Sequence, residues 1–242
     1  MPLTVIYEDN HLLAVEKAPG TLSQPDSSGT ASLLDTAREY IRERYRKPGK
    51  VFIGPVHRLD RQVSGIMLFA RTSKAARRLH ADFSKGRVVK RYIALVESKN
   101  PLPGDVWIER EDRLVRGRGF SRRAGDGDHG VKSARLRYMA IAAQKGVALL
   151  VVDLLTGRKH QIRAQLAALG MPVAGDTLYG SSLNPFDGAL FLHASYLSFP
   201  HPTRADEIEL LSPLPSRFHE YVHIDGILEN RILKALRARC TP

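Results

Sequence analysis

Two strand-length stretches, Val131 to Ile141 and Val147 to Leu155, are separated only by the short segment 142–146, which ends in Lys145-Gly146. Runs this close read as paired neighbouring strands, because a link so short can join only antiparallel partners. The same pattern recurs at the start, where Val5-Ile6-Tyr7 and Leu12-Leu13-Ala14-Val15 flank the turn residues Asp9-Asn10. Further strands are expected at 51–53, 65–70, 87–96 and 190–197. Helical spacing is rarer. Thr30 can cap a helix running to about Arg46, with Leu33, Leu34, Ala37 and Ile41 on one face and Pro48-Gly49 ending it. A second helix is expected over 73–83, with Ala76, Leu79 and Phe83 inward. A third follows the Thr156-Gly157 turn, carries His160, Arg163 and Leu166, and stops at Gly170 ahead of Pro172. The tail from Asn230 to Arg239 reads as a basic helix. Strands outnumber helices and several are hairpin neighbours, so the fold class expected is α+β rather than a regular βαβ repeat.

The chain's 242 residues suit one large domain or two small ones, and a single domain over 1–242 is the expectation. Hydrophobic content of 43% and charged content of 26% are those of a globular protein. With 37 Lys+Arg against 25 Asp+Glu the net charge is +12, which points to an acidic partner, nucleic acid first. A lone cysteine, Cys240, excludes a disulfide framework within the chain and suits a reducing cytoplasm. No cationic-then-apolar leader opens the sequence, and no apolar run approaches the roughly 20 residues needed to cross a bilayer. The nine histidines are scattered without ligand spacing, so no metal is expected.

Between Arg113 and Gly130 lie five arginines (113, 116, 118, 122 and 123) and five glycines without apolar periodicity. Two readings are open: a flexible basic loop that closes over RNA phosphates, or a solvated hairpin tip.

The segment Pro55-Val56-His57-Arg58-Leu59-Asp60-Arg61-Gln62-Val63-Ser64-Gly65 places one carboxylate between two arginines. Nearby positive charge favours the ionised acid, and the same charge would draw in a polyanion. On charge pattern alone, a surface aspartate tying down two arginines fits as well.

Taken in order, several segments resemble the RluA-type pseudouridine synthases. His57-Arg58-Leu59-Asp60 with Ser64-Gly65 is similar to that family's central motif, and Val89-Lys90-Arg91-Tyr92-Ile93-Ala94-Leu95-Val96 to its tyrosine strand. Arg158-Lys159-His160-Gln161-Ile162-Arg163, continuing through Gly175-Asp176 to Tyr179-Gly180, is similar to its third motif. Leu192-His193-Ala194 with His201-Pro202 resembles the closing strand. The resemblance spans residues 4 to 215. It implies a mixed, largely antiparallel central sheet flanked by helices, with the active cleft across its middle. It further implies isomerisation of uridine in ribosomal or transfer RNA, with no cofactor and with the target base flipped out. Asp60 matches the nucleophile, Arg163 the arginine paired with it, and Tyr92 the active-site tyrosine that stacks on uracil and can accept the C5 proton. Without the resemblance, Tyr92 reads as an aromatic covering the core and Arg163 as a helix-surface charge. Arg58 resembles the arginine that fills the vacated stack. His57 either touches RNA or holds the loop, Lys90 meets a phosphate or supports the site, and Arg158 and His160 complete the RNA-contact candidates.

Departures from the pattern are Val63 where threonine is common, Gln165 where histidine is frequent, and Lys17-Ala18-Pro19-Gly20 as an altered Lys-Pro turn. The S4-type RNA-binding module of many relatives is expected to be missing, leaving a monomeric catalytic domain to grip structured RNA itself. A non-catalytic RNA-binding protein or RNA chaperone is the alternative, but binding alone needs no carboxylate that repels phosphate. A glycoside hydrolase needs two flanking acids. Its only second candidate, Asp176, sits in a Gly-Asp turn that backbone geometry explains more readily.

Overall fold

A computed structural model describes residues 3–183, 185 and 188–238. The chain divides into two compact units, one formed by 1–89 and 196–212, the other by 90–195 and 213–242.

In the first unit, β1 (Val5–Glu8) and β2 (Leu12–Lys17) pair antiparallel, and β2 pairs with β4 (Ser64–Ala70). Helix α1 (Leu33–Arg44) precedes β3, a two-residue strand at Gly54–Pro55 paired with β4, so the strand expected at 51–53 lies slightly later and is one residue shorter. Helix α1 is capped by Ser32, not Thr30. The Ser32 hydroxyl accepts from the Asp35 N–H, and Asp35 accepts in return from the Ser32 N–H, a reciprocal box that Thr30 cannot form with Leu33 three residues on. Its buried residues are the four expected: Leu33, Leu34, Ala37 and Ile41. Helix α2 (Ser73–Ser84) buries Ala75 and Leu79 against the apolar side chains of β2 and β4, with Ala76 and Phe83 packed at the margin.

The second unit takes in β5 (Val89–Glu97) from Lys90 onward, then β6 (Ile108–Arg116), β7 (Ser121–Arg123), β8 (Lys132–Gln144) and β9 (Val147–Leu154). These run in the order β5-β9-β8-β6-β7, every pairing antiparallel. Helix α3 (Gln161–Ala168) follows β9. Strand β10 (Leu192–Pro200) begins in this unit and ends in the first, where it pairs with β11 (Glu207–Leu211), a strand not anticipated. Helix α4 (Gly226–Arg237) starts earlier than Asn230 because Asp225 caps it, accepting from the Leu228 N–H; Arg239 and Cys240 lie outside the described residues. The fold is the α+β, largely antiparallel class expected.

The segment 113–130 is a hairpin over much of its length. Arg113 to Arg116 belong to β6, and Leu114 to Arg116 pair with Ser121 to Arg123 of β7, so the loop reading is corrected there. Its inward side carries Leu114, packed on Ala134 and Ala164, next to a buried charge just before the segment. Buried Asp112 accepts from Arg110 and from Gln165 of α3, and pairs with Arg123 at 3.1 Å. Charges satisfied by one another leave no apolar periodicity to read.

Register sorts the second unit's faces, since directly opposed residues share a side. Arg91, Asp153 and Arg137 form one row across β5, β9 and β8; Tyr92, Val152 and Tyr138 form the next row, on the other face. The Arg91 guanidinium donates to the carbonyls of Ala235, Leu236 and Ala238 at the end of α4. Helix α4 therefore covers the Arg91 face, and Tyr92 lies on the opposite one.

Candidate active site

In the first unit, the connection from β3 to β4 carries His57, Arg58 and Asp60, and the chain before it is built to hold that connection still. Lys17, at the end of β2, is fully buried, and its ammonium donates to three carbonyls: Ala18 at 3.0 Å, Arg61 at 2.8 Å and Val63 at 2.8 Å. An ammonium has three donors, and all three are used. Ser23 clamps Leu59 from both sides, its hydroxyl donating to the Leu59 carbonyl and accepting from the Leu59 N–H. Gly20 and Arg61 exchange two further bonds, from the Gly20 N–H and from Arg61 Nε. The backbone on both sides of Asp60 is thus tied, and the turn closes with the Val63 N–H on the Asp60 carbonyl. Burial pulls the Lys17 ammonium down to about 7, against the opposing attraction of the Asp60 charge and with Arg61 adding to the fall.

Asp60 is half-buried and Arg58 exposed. His57 is committed to the fold. Its Nε2 accepts the Leu68 N–H at 3.0 Å, and its ring stacks on Phe83 at 5.3 Å. Of its two expected roles, the structure supports holding the loop.

In the second unit, Lys90 and Tyr92 share a face of β5, as strand alternation requires, with Tyr92 nearly covered. Burial lowers the Lys90 ammonium, partly offset by Asp153. Helix α3 is entered through His160, held in the left-handed region at φ 52°, a conformation uncommon for a residue with a side chain. The entry is fastened by Gln161, whose amide oxygen accepts from the Thr156 hydroxyl and the Arg158 N–H while its amide nitrogen donates to the Arg135 carbonyl. Arg158 is exposed, with Nε on the Ser133 carbonyl.

Arg163 emerges one turn later into a buried cluster. It forks onto Asp176, Nε to Oδ2 at 2.5 Å and Nη2 to Oδ1 at 2.8 Å, and its guanidinium lies 4.9 Å from the centre of the Tyr179 ring. The Tyr179 hydroxyl accepts the Ser121 N–H at 2.8 Å, donates to the Ser121 carbonyl at 2.9 Å and stands 3.2 Å from His160 Nδ1. Arg163, Asp176, Tyr179 and His160 thus form one constellation, which reaches the β7 end of the hairpin through Ser121.

The reading of Asp176 as a residue explained by turn geometry is corrected: it is a buried acid that orients Arg163. The turn serves that placement. Gly175 sits at φ 84°, and a Cβ there would lie 2.5 Å from the Ala189 carbonyl oxygen. Lys17, Asp176 and Tyr179 are the site residues the sequence reading did not assign. The usable signal was that Asp176 is the one acid in the third motif. Among the described residues no group of three His, Cys, Asp or Glu side chains could hold a metal ion, and no helix is long and apolar enough to cross a membrane.

Comparison with known proteins fits this arrangement. A family profile described as RNA pseudouridylate synthase matches residues 11–168, a span that contains Asp60, Tyr92 and Arg163. The chain is 33% identical over 235 residues to the ribosomal large subunit pseudouridine synthase D of Xylella fastidiosa, covering 89% of this chain and 67% of that one. It is 29% identical to the tRNA pseudouridine synthase C of Pasteurella multocida, covering 93% and 96% respectively. Among solved structures, human RNA pseudouridylate synthase domain containing 1 is similar with a TM-score of 0.73 at 25% identity, covering 100% of this chain and 97% of that one. The chain belongs to the RNA pseudouridylate synthase family.

Proposed function

We propose that this protein isomerises a specific uridine in ribosomal or transfer RNA to pseudouridine, with Asp60 as nucleophile. The observation that carries the reading is the family match over residues 11–168, a span that includes Asp60, Tyr92 and Arg163. The two bonds from Lys17 to the Asp60 loop, at Arg61 and Val63, support it, because a nucleophile must be held in attacking geometry.

In the reaction the N1–C1′ bond breaks, the uracil turns, C5 bonds to C1′, and the proton lost from C5 is balanced by one gained at N1. Asp60 opens the sequence as the oxygen nucleophile. Arg163, oriented by Asp176, supplies positive charge to the site. Tyr92 stacks on the uracil and takes the C5 proton. Arg58, exposed on its loop, enters the stack the base has left, where a planar guanidinium contacts bases and phosphate together. Lys90, Arg158 and His160 are assigned to the RNA backbone around the target, and the protein acts as a monomer in the cytoplasm. Relatives named for large-subunit ribosomal RNA and for transfer RNA leave both RNA classes within the proposal.

The test is tritium release from C5-labelled uridine in transcribed ribosomal and transfer RNA. The wild-type protein releases label from one class, and Asp60→Ala releases none; full activity in Asp60→Ala would end the reading.

A further inference from the structure

Just upstream of the Asp60 loop lies a stretch that the proposed chemistry does not use. Residues 42–50 are exposed without a break, and they hold Arg42, Arg44, Arg46, Lys47 and Lys50 against the single acid Glu43. Arg42 pairs with Glu39 and Arg44 with Glu8. Among the described residues, Arg46, Lys47 and Lys50 form no ion pair. The nearest strongly placed acid, Glu8, is already bound by the Tyr40 and Tyr45 hydroxyls and by Arg71, so it opposes an incoming phosphate little.

An aromatic ring completes the stretch. Phe52 is 49% exposed, and the ring is backed against Gly54, where a Cβ would lie 3.1 Å from Phe52 Cζ and 3.6 Å from Ala76 Cβ. A side chain at position 54 would crowd the ring, so the glycine lets it lie close to the backbone. Ala76 and Phe83 share one stripe of α2, two turns apart, and Phe83 carries the stacked His57 ring. Along α2 the Phe52 platform and the root of the Asp60 loop are therefore roughly 10 Å apart at 1.5 Å per residue.

A fixed exposed ring beside unneutralised cations matches what single-stranded nucleic acid offers, a base face and a phosphate at each step. We propose that 42–52 is an accessory RNA grip, in which Phe52 stacks a base and Arg46, Lys47 and Lys50 bind phosphates of the single strand flanking the target uridine. This rests on the function proposed above and adds a second contact surface to it.

The experiment measures binding of labelled oligouridine against salt, and turnover on C5-tritiated RNA, for Lys47→Gln/Lys50→Gln and for Phe52→Ala. The charge variant is expected to raise KM at least fivefold with kcat retained. It should reduce the slope of log K against log salt by about 1.4, from two phosphate contacts at about 0.7 each. Phe52→Ala raises KM at least fivefold without changing the slope, and Phe52→Tyr restores it. An unchanged slope in the charge variant, or an unchanged KM in Phe52→Ala, overturns the grip. Equal loss of binding to polyglutamate in Phe52→Ala would assign the surface to an acidic protein and also overturn it. If the wild-type protein releases no tritium from any RNA, the catalytic reading fails by itself, while the salt slopes still decide the grip.

Discussion

Asp176 holds Arg163 by two hydrogen bonds inside the second unit, with both side chains almost wholly withdrawn from water. Removing one member of a buried ion pair typically costs about 3–5 kcal/mol. Asp176→Ala is expected to show that scale of destabilisation in urea unfolding. Asp176→Asn keeps the side-chain volume and should fold better, yet lose at least tenfold in kcat because one arm of the fork is gone. A variant with normal kcat would show that Arg163 needs no orienting acid.

Tyr179 links this pair to the hairpin through Ser121. Tyr179→Phe keeps the ring beneath Arg163 while removing the hydroxyl, leaving the buried Ser121 N–H and carbonyl without that partner. The expected loss is about 1–3 kcal/mol. It should appear locally, as faster amide exchange over 117–123 with the exchange of β9 unchanged. Uniform acceleration across the second unit would contradict a local latch.

What the sequence disclosed and what it hid follow from range. Strands β8 and β9 were legible because two strand-like stretches on either side of a short turn leave few alternatives. Helix α1 was legible in its face but not its start, since Thr30 and Ser32 are both capable caps and only the reciprocal bond with Asp35 decides between them. The β6–β7 hairpin was obscured because the residue that anchors its inner side, Asp112, is charged and is satisfied by Arg110, Arg123 and Gln165, the last of them on α3. Asp60, Tyr92 and Arg163 could be named from motif resemblance. The supports that hold the Asp60 loop and Arg163 were not readable, because Lys17 finds two of its three carbonyls more than 40 positions away and Tyr179 finds Ser121 at 58.

Gly175 offers a steric test of the Asp176 turn. At φ 84°, with the Ala189 carbonyl 2.5 Å from where a Cβ would stand, Gly175→Ala is strained by conformation and by contact together. A loss above about 1 kcal/mol is expected, accompanied by reduced kcat as Asp176 shifts. Wild-type stability in this variant would mean the turn relaxes freely.

Lys17 makes stability depend on alkaline pH in a direction that can be worked out. Its folded value of about 7 lies below the ordinary 10.5 of the unfolded chain. Between those values the unfolded state binds more protons, so the contribution of this group to stability rises with pH across the window and is lowest below about 7. Lys17→Met removes the titration and also the three bonds to Ala18, Arg61 and Val63, so it lowers stability overall and loosens the Asp60 loop. Urea unfolding at pH 7 and pH 9.5 should show the wild-type protein gaining more stability over that interval than Lys17→Met does. An equal or smaller gain in the wild-type protein would show that the three carbonyls keep the buried ammonium charged throughout, and the pH argument would fall while the clamp itself stood.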